Sequence, residues 1–268
     1  MDILNIKIED VLKFPFKENN WPYTFGVFTI IELFSTLIIS GILLFFLFGG
    51  IFALEREIIG LVFIIPACIF FAMFFFINFY LQGYIVEMKR NIKEMKKDPM
   101  PKHKDIALKL RLGLVNLGLW IGPMIAILTT AGISTAMIAF GVLNIASMTA
   151  ISIILITLGV LLAFFSILLL LLSSTMVVPS MLYLYFETKS IKKAYCFKKI
   201  KIIIKKMWKE YLLIYAIYIL LSFIVSTLGQ IPGAGVFFLV IGLSYMLFIV
   251  ALLTGKIFAD LDKLKLFE

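Results

Sequence analysis

Apolar residues in this chain come in six long blocks separated by short polar segments. The blocks lie at about 24–48, 58–86, 112–130, 149–186, 209–229 and 234–256. An apolar stretch of about 18 or more residues predicts a transmembrane helix, whereas strands of a membrane barrel alternate with period two in short segments. No such alternation occurs. The pattern therefore predicts an all-α fold, a polytopic membrane helix bundle of about six transmembrane helices with cytoplasmic interfacial amphipathic helices. The second and fourth blocks exceed the roughly 20 residues a bilayer needs and are expected to run past its surface. Pro66, Pro123 and Pro179 fall inside blocks and are expected to kink them. The whole chain, 1–268, reads as a single integral membrane domain.

The polar segments have a pattern of their own. In KKIKIIIKKMWKEY, Ile200, Ile203, Ile204, Met207 and Tyr211 repeat at helical spacing, while Lys198, Lys199, Lys201, Lys205 and Lys206 take the other face. Trp208 stands at the junction with the fifth block. Such a helix is expected to lie on the inner leaflet with its apolar stripe down, lysine stems snorkelling, and to lead straight into the fifth span; the alternative is that it packs on the other cytoplasmic segments. The N-terminus has a similar face in Leu4, Ile8, Val11 and Leu12, with Lys7, Asp10 and Lys13 mostly away from it. In YIVEMKRNIKEMKK, Ile85, Met88, Ile92 and Met95 continue the second span until Pro99 and Pro101 end it. A basic or amphipathic segment thus precedes each of three membrane hairpins, a weak organisational repeat.

Composition agrees: 62% of the 268 residues are hydrophobic, 15% are charged, and mean hydropathy is +1.09. A soluble domain is about 45–50% apolar. The net charge of +9 is explained by topology and not by nucleic acid. Segments 87–111 and 187–209 hold nine Lys and Arg each, 1–23 and the tail three each, loop 49–57 only Arg56, and the other two loops none. Twenty-four of 25 basic residues thus fall on one side, so both termini are expected to be cytoplasmic in a multi-pass cell-membrane protein. Cys68 and Cys196 are not expected to pair. The mixed-charge opening, which precedes any apolar run, is not expected to be a signal peptide.

The chemistry available is sparse. His103 is the single histidine, in a lysine-rich loop, and reads as solvated and incidental. No metal-ligand spacing, nucleophile elbow or phosphate loop occurs, so no catalytic residue, metal site or cofactor is expected. Glu32 is the one ionisable residue well inside an apolar block, about 12 Å past its start. A carboxylate there reads either as a functional site, for proton coupling or a polar ligand, or as a structural hydrogen bond or a residue nearer the interface. Thr29, Thr36 and Ser40 share its face, and Asn78 and Asn116 fall at comparable depth. Glu32 is expected to bond one of these amides or a neighbouring hydroxyl. In the fourth block Ser152, Gly159, Ser166, Ser173 and Ser180 recur every seven residues, and the third carries Gly118 and Gly122 in G-x-x-x-G; both patterns let another helix approach closely. The fifth block places Tyr211, Tyr215, Tyr218, Ser222 and Ser226 on one face, suited to packing or to lining a cavity.

Four stretches together resemble a known family. They are FPFKENNW; the Gly83-Tyr84 pair, basic run and Pro-x-Pro of GYIVEMKRNIKEMKKDPMPKHKDI; VVPSMLYLYFETKSIKKAYCF, with Pro179, Tyr185, Glu187, Thr188 and Ser190; and LGQIPGAG. The chain resembles an uncharacterised, mainly prokaryotic family of membrane proteins known as domain of unknown function 4013. The order of the motifs covers nearly the whole chain. The family usually has tryptophan and acidic residues after the prolines; here stand Lys102, His103, Lys104 and Asp105. The resemblance implies a multi-pass membrane protein and supplies no activity.

Three functions are compatible with these residues. A non-enzymatic, membrane-organising or accessory protein would use the basic face to bind anionic headgroups, a protein partner or a second copy. A small transporter or channel would use Glu32 and the fifth-span tyrosines. An enzyme acting on lipid would need acids at one surface, such as Glu187 and Glu210.

Overall fold

A computed structural model describes residues 13, 16, 21–53, 57–96, 98–145 and 149–264. The N-terminal face at Leu4, Ile8, Val11 and Leu12 lies outside the described residues. Those that are described form eight α-helices and no strand. They are α1 (Trp21–Ala53), α2 (Glu57–Lys93), α3 (Ile106–Leu143), α4 (Thr149–Leu172), α5 (Val178–Thr188), α6 (Ile191–Ala194), α7 (Phe197–Gly229) and α8 (Gly235–Lys263). A π-helical turn, Ser173–Val177, joins α4 to α5, so six continuous stretches are long and apolar enough to cross a membrane. This is an all-α multi-pass membrane fold.

Three boundaries differ from expectation. The third span was expected to end near 130, yet α3 runs to Leu143. Thr129, Thr130 and Thr135 return their hydroxyls to the carbonyls of Ile125, Ala126 and Ala131 at 2.8–3.0 Å. A polar, Gly-containing stretch thereby satisfies itself within the helix. Helix α2 stops at Lys93, before the prolines; Met95 turns it at φ 52°, and the Asn91 amide donates to the Pro99 carbonyl at 3.1 Å. At the fifth span, Met207 (φ −117°, ψ 19°) breaks α7, so the amphipathic part does not lead straight into the membrane.

The chain divides into two compact units. Residues 1–116 and 213–268 make the first, and residues 117–212 the second. In the first, α1, α2 and α8 pack on one another. The start of α3 lies so close to α2 that a Cβ on Gly83 would stand 1.7 Å from the Lys109 carbonyl oxygen, and one on Gly113 2.0 Å from that of Phe79. Only paired glycines permit this backbone contact.

In the second unit, α3 and α4 run antiparallel. Ser134 donates to the Gly159 carbonyl at 2.7 Å, and Ser166 to the Thr130 hydroxyl at 2.9 Å. Ser152, Gly159, Ser166, Ser173 and Ser180 are all buried, while the large apolar side chains between them are largely exposed, as lipid-facing residues must be. Every residue of α5 from Val178 to Phe186 is buried.

Candidate functional site

Two helices of the first unit present the same spacing to a common space. Phe28, Glu32, Ser35, Thr36 and Ile39 of α1 and Phe74, Asn78, Leu81, Gln82 and Ile85 of α2 line a cavity of about 210 Å³, with Leu247 of α8. Both sets follow steps of four, three, one and three, which keeps five side chains on one helical face. None of its lining residues is basic.

Glu32 is anchored from the third helix: Ser244 of α8, fully buried, donates its hydroxyl to Oε2. Among the described residues no hydrogen bond or ion pair engages the other oxygen. The Asn78 amide donates to Ser35 Oγ and to the Phe74 carbonyl, each at 2.9 Å. The Thr36 hydroxyl donates to the Glu32 carbonyl at 3.0 Å. The Asn116 amide donates to Gln82 Oε1 at 3.2 Å. The arrangement is a negatively chargeable group, a ring of hydrogen-bonding groups and no built-in cation.

The Glu32 partner was expected to be one of these amides or a neighbouring hydroxyl; it is a hydroxyl, supplied from another helix 212 residues away. Asn78 shares the cavity but bonds Ser35, and Asn116 touches Gln82, outside the lining. Gln82 was overlooked, although it stands one turn after Asn78 on the same face. Thr29 and Ser40 do not line the cavity. Neither do Tyr215 and Tyr218, which are half-buried and exposed. Tyr211 belongs to the second unit, where its buried hydroxyl lies 3.2 Å from Ser180 Oγ.

The amphipathic helix also corrects an expectation. Ile200, Ile203, Met207 and Tyr211 are buried within the chain, so the stripe packs on protein and does not face a leaflet. Lys198, Lys201, Lys205, Lys206 and Trp208 are exposed, and Lys199 is half-buried. Gly118 and Gly122 receive not a second spanning helix but Ile191 and Tyr195. The Tyr195 hydroxyl donates to the carbonyl of Gly118 at 2.6 Å and accepts from the Gly122 amide at 3.3 Å.

His103 is not solvated. Its ring stacks on Tyr84 (5.0 Å between centroids, 19°) and on Tyr80 (6.3 Å, 24°), with Tyr23 edge-on. Nε2 lies 3.2 Å from the Thr24 carbonyl, which can only accept, so Nε2 carries the proton and Nδ1 accepts from the Tyr80 hydroxyl at 2.8 Å. Burial lowers the imidazole pKa; the Lys109 charge adds to this, and the Thr24 bond opposes it. Lys109 is itself buried, 3.3 Å from Glu87 Oε2, and donates to the Lys104 carbonyl.

The six long apolar helical stretches define a multi-pass integral membrane protein. The family described as protein of unknown function (DUF4013) matches residues 66–234, well over half of the chain, and the chain belongs to it. The match contains Gly83-Tyr84 and the Pro179–Ser190 stretch and begins after FPFKENNW. No curated protein and no solved structure matches the chain. Among the described residues, no group of three or more His, Cys, Asp or Glu could hold a metal ion, and Cys68 and Cys196 are free thiols.

Proposed function

We propose that the protein binds a small cationic, hydrogen-bonding solute in the Glu32 cavity, as the binding step of a transporter or channel. The observation that carries this is a carboxylate with one unengaged oxygen, lining a polar space without a basic side chain. A charge held in a low-dielectric site requires a partner. Glu32 therefore holds either a proton or the cation, and the two compete. Asn78, Gln82 and Thr36 add hydrogen bonds that distinguish an amine from a bare proton. In this reading the basic segments face the cytoplasm, and the cavity opens toward that half of the cell membrane. The test is calorimetric titration of the detergent-solubilised full chain with ethylammonium. Wild type is expected to bind and Glu32→Gln to lose at least about tenfold in affinity, the worth of roughly 1.4 kcal/mol. Equal affinity in both would remove the proposal.

A second reading rests on the exposed lysines of α7. Lys198, Lys201, Lys205 and Lys206 lie on the free face of a helix whose other face is buried. Each contributes about 1 kcal/mol near an anionic leaflet. This supports retention of anionic headgroups, or of an acidic partner or second copy, by an accessory or membrane-organising protein. Changing these four lysines to Gln in the reconstituted full chain is expected to reduce enrichment of phosphatidylglycerol over phosphatidylcholine among co-purified lipids. Unchanged enrichment would contradict it.

A further inference from the structure

A second space lies on a separate face of the same α1–α2 pair. It has a volume of about 400 Å³ and is lined by Val27, Ile31 and Phe34 of α1, Phe76, Ile77 and Tyr80 of α2, His103 and Ile106. Six of these eight residues are wholly apolar. From Val27 to Phe34 the groove runs roughly 10 Å along α1. His103, Tyr80 and Ile106 close the end nearest the basic segment, and Phe34 and Phe76 mark the other end. Phe34, Phe76 and Ile106 are more than half exposed, so the groove opens sideways. In a membrane-spanning pair that opening meets hydrocarbon.

We propose that this groove holds one acyl chain of an anionic phospholipid, whose phosphate sits at Lys102 and Lys104. Charge complementarity favours that occupant. The two lysines flank His103, the residue at the groove's closed end, and both are exposed. Asp105 is exposed beside them, which leaves a net charge of about +1 on this stretch while His103 is neutral. The stretch is held in place. His103 is bonded to α1 through Thr24 and to α2 through Tyr80, and Lys109 Nζ grips the Lys104 carbonyl. The His103 ring and the Lys104 backbone are thus fixed at the groove's closed end, which sets the level from which the two lysine side chains extend. His103 forms the floor beneath the headgroup and does not ligate it, because both its nitrogens are engaged.

The test places the full chain in phosphatidylcholine vesicles doped with either phosphatidylglycerol or phosphatidylcholine carrying a diazirine in one acyl chain. Illumination is followed by mapping of adducts by mass spectrometry. Adducts at 27–34 and 76–80 are expected about fivefold more often from phosphatidylglycerol, the equivalent of about 1 kcal/mol for the net charge. Lys102→Gln with Lys104→Gln leaves Asp105 alone and is expected to bring that ratio to one or below, and Ile77→Trp to remove the adducts by filling the groove. Equal labelling by both lipids in wild type would identify an ordinary lipid annulus and overturn the proposal, as would an absence of adducts at these segments. That comparison requires no variant to fold.

Discussion

Gly83→Ala sets two effects of known size against each other. Alanine is favoured over glycine inside a helix by about 1 kcal/mol, so helix propensity alone predicts stabilisation. The new methyl, however, would lie 1.7 Å from the Lys109 carbonyl oxygen, where ordinary contact starts at 3.4 Å. The obstacle is backbone and cannot rotate away. Helices α2 and α3 must part by roughly 1.7 Å, and a gap of 0.5–1 Å already forfeits a quarter to a half of each dispersion contact. The Lys109–Glu87 pair at 3.3 Å is on the same crossing and lengthens with it. Overpacking costs about 1–3 kcal/mol where side chains can yield, so a net loss near the top of that range, roughly 2–3 kcal/mol, is expected. In thermal unfolding of the purified protein this lowers the midpoint by about 4–12 °C. Gly26→Ala is the control: no atom lies within 4 Å of its Cβ, so it is expected to leave the midpoint unchanged or raise it slightly. If the two variants unfold at the same temperature, the backbone contact between α2 and α3 is wrong.

Three further outcomes follow from the same geometry. Glu87→Gln strands the buried Lys109 charge and is expected to cost about 3 kcal/mol by chemical denaturation, most of it regained in Glu87→Gln with Lys109→Met; no regain would mean the pair is not coupled. His103 has its folded pKa below the ordinary value of about 6.5. Its stabilising contribution is therefore complete above about pH 6.5 and lost as pH falls from there through the folded value. Wild type is expected to lose stability relative to His103→Gln across that window, and parallel unfolding curves from pH 7 to 5 would refute the burial. Tyr195→Phe removes a hydroxyl that bonds the Gly118 and Leu119 carbonyls and the Gly122 amide. A loss of about 1–2 kcal/mol is expected, together with faster proteolysis at 189–196; unchanged proteolysis would show that the hydroxyl does not hold this segment.

The spans were readable because blocks of apolar residues are a strong local signal, and Glu32 stood out because nothing else ionisable shares its block. What escaped was long-range. Ser244 is one of many membrane serines, and no local pattern couples it to Glu32. The threonines near 130 resemble a helix end, because a sequence does not show hydroxyls turned back onto their own helix. The stripe of Ile200, Ile203 and Met207 is amphipathic whether it faces lipid or protein; periodicity reveals that a face is buried, not what buries it. His103 lies among lysines along the chain but among tyrosines in space. A signal for its burial was present in Tyr80 and Tyr84, one turn apart on α2, but only folding brings the loop back over them.

The central claim is that Glu32 exchanges a proton for a small cation. The most direct test measures ethylammonium affinity of the full chain from pH 5 to 9, with proton release followed in weakly buffered solution. The account predicts that affinity falls about tenfold per unit of pH below the Glu32 pKa, that each bound cation releases up to one proton there, and that Glu32→Gln abolishes both effects. Binding that is independent of pH and unchanged in Glu32→Gln would contradict it.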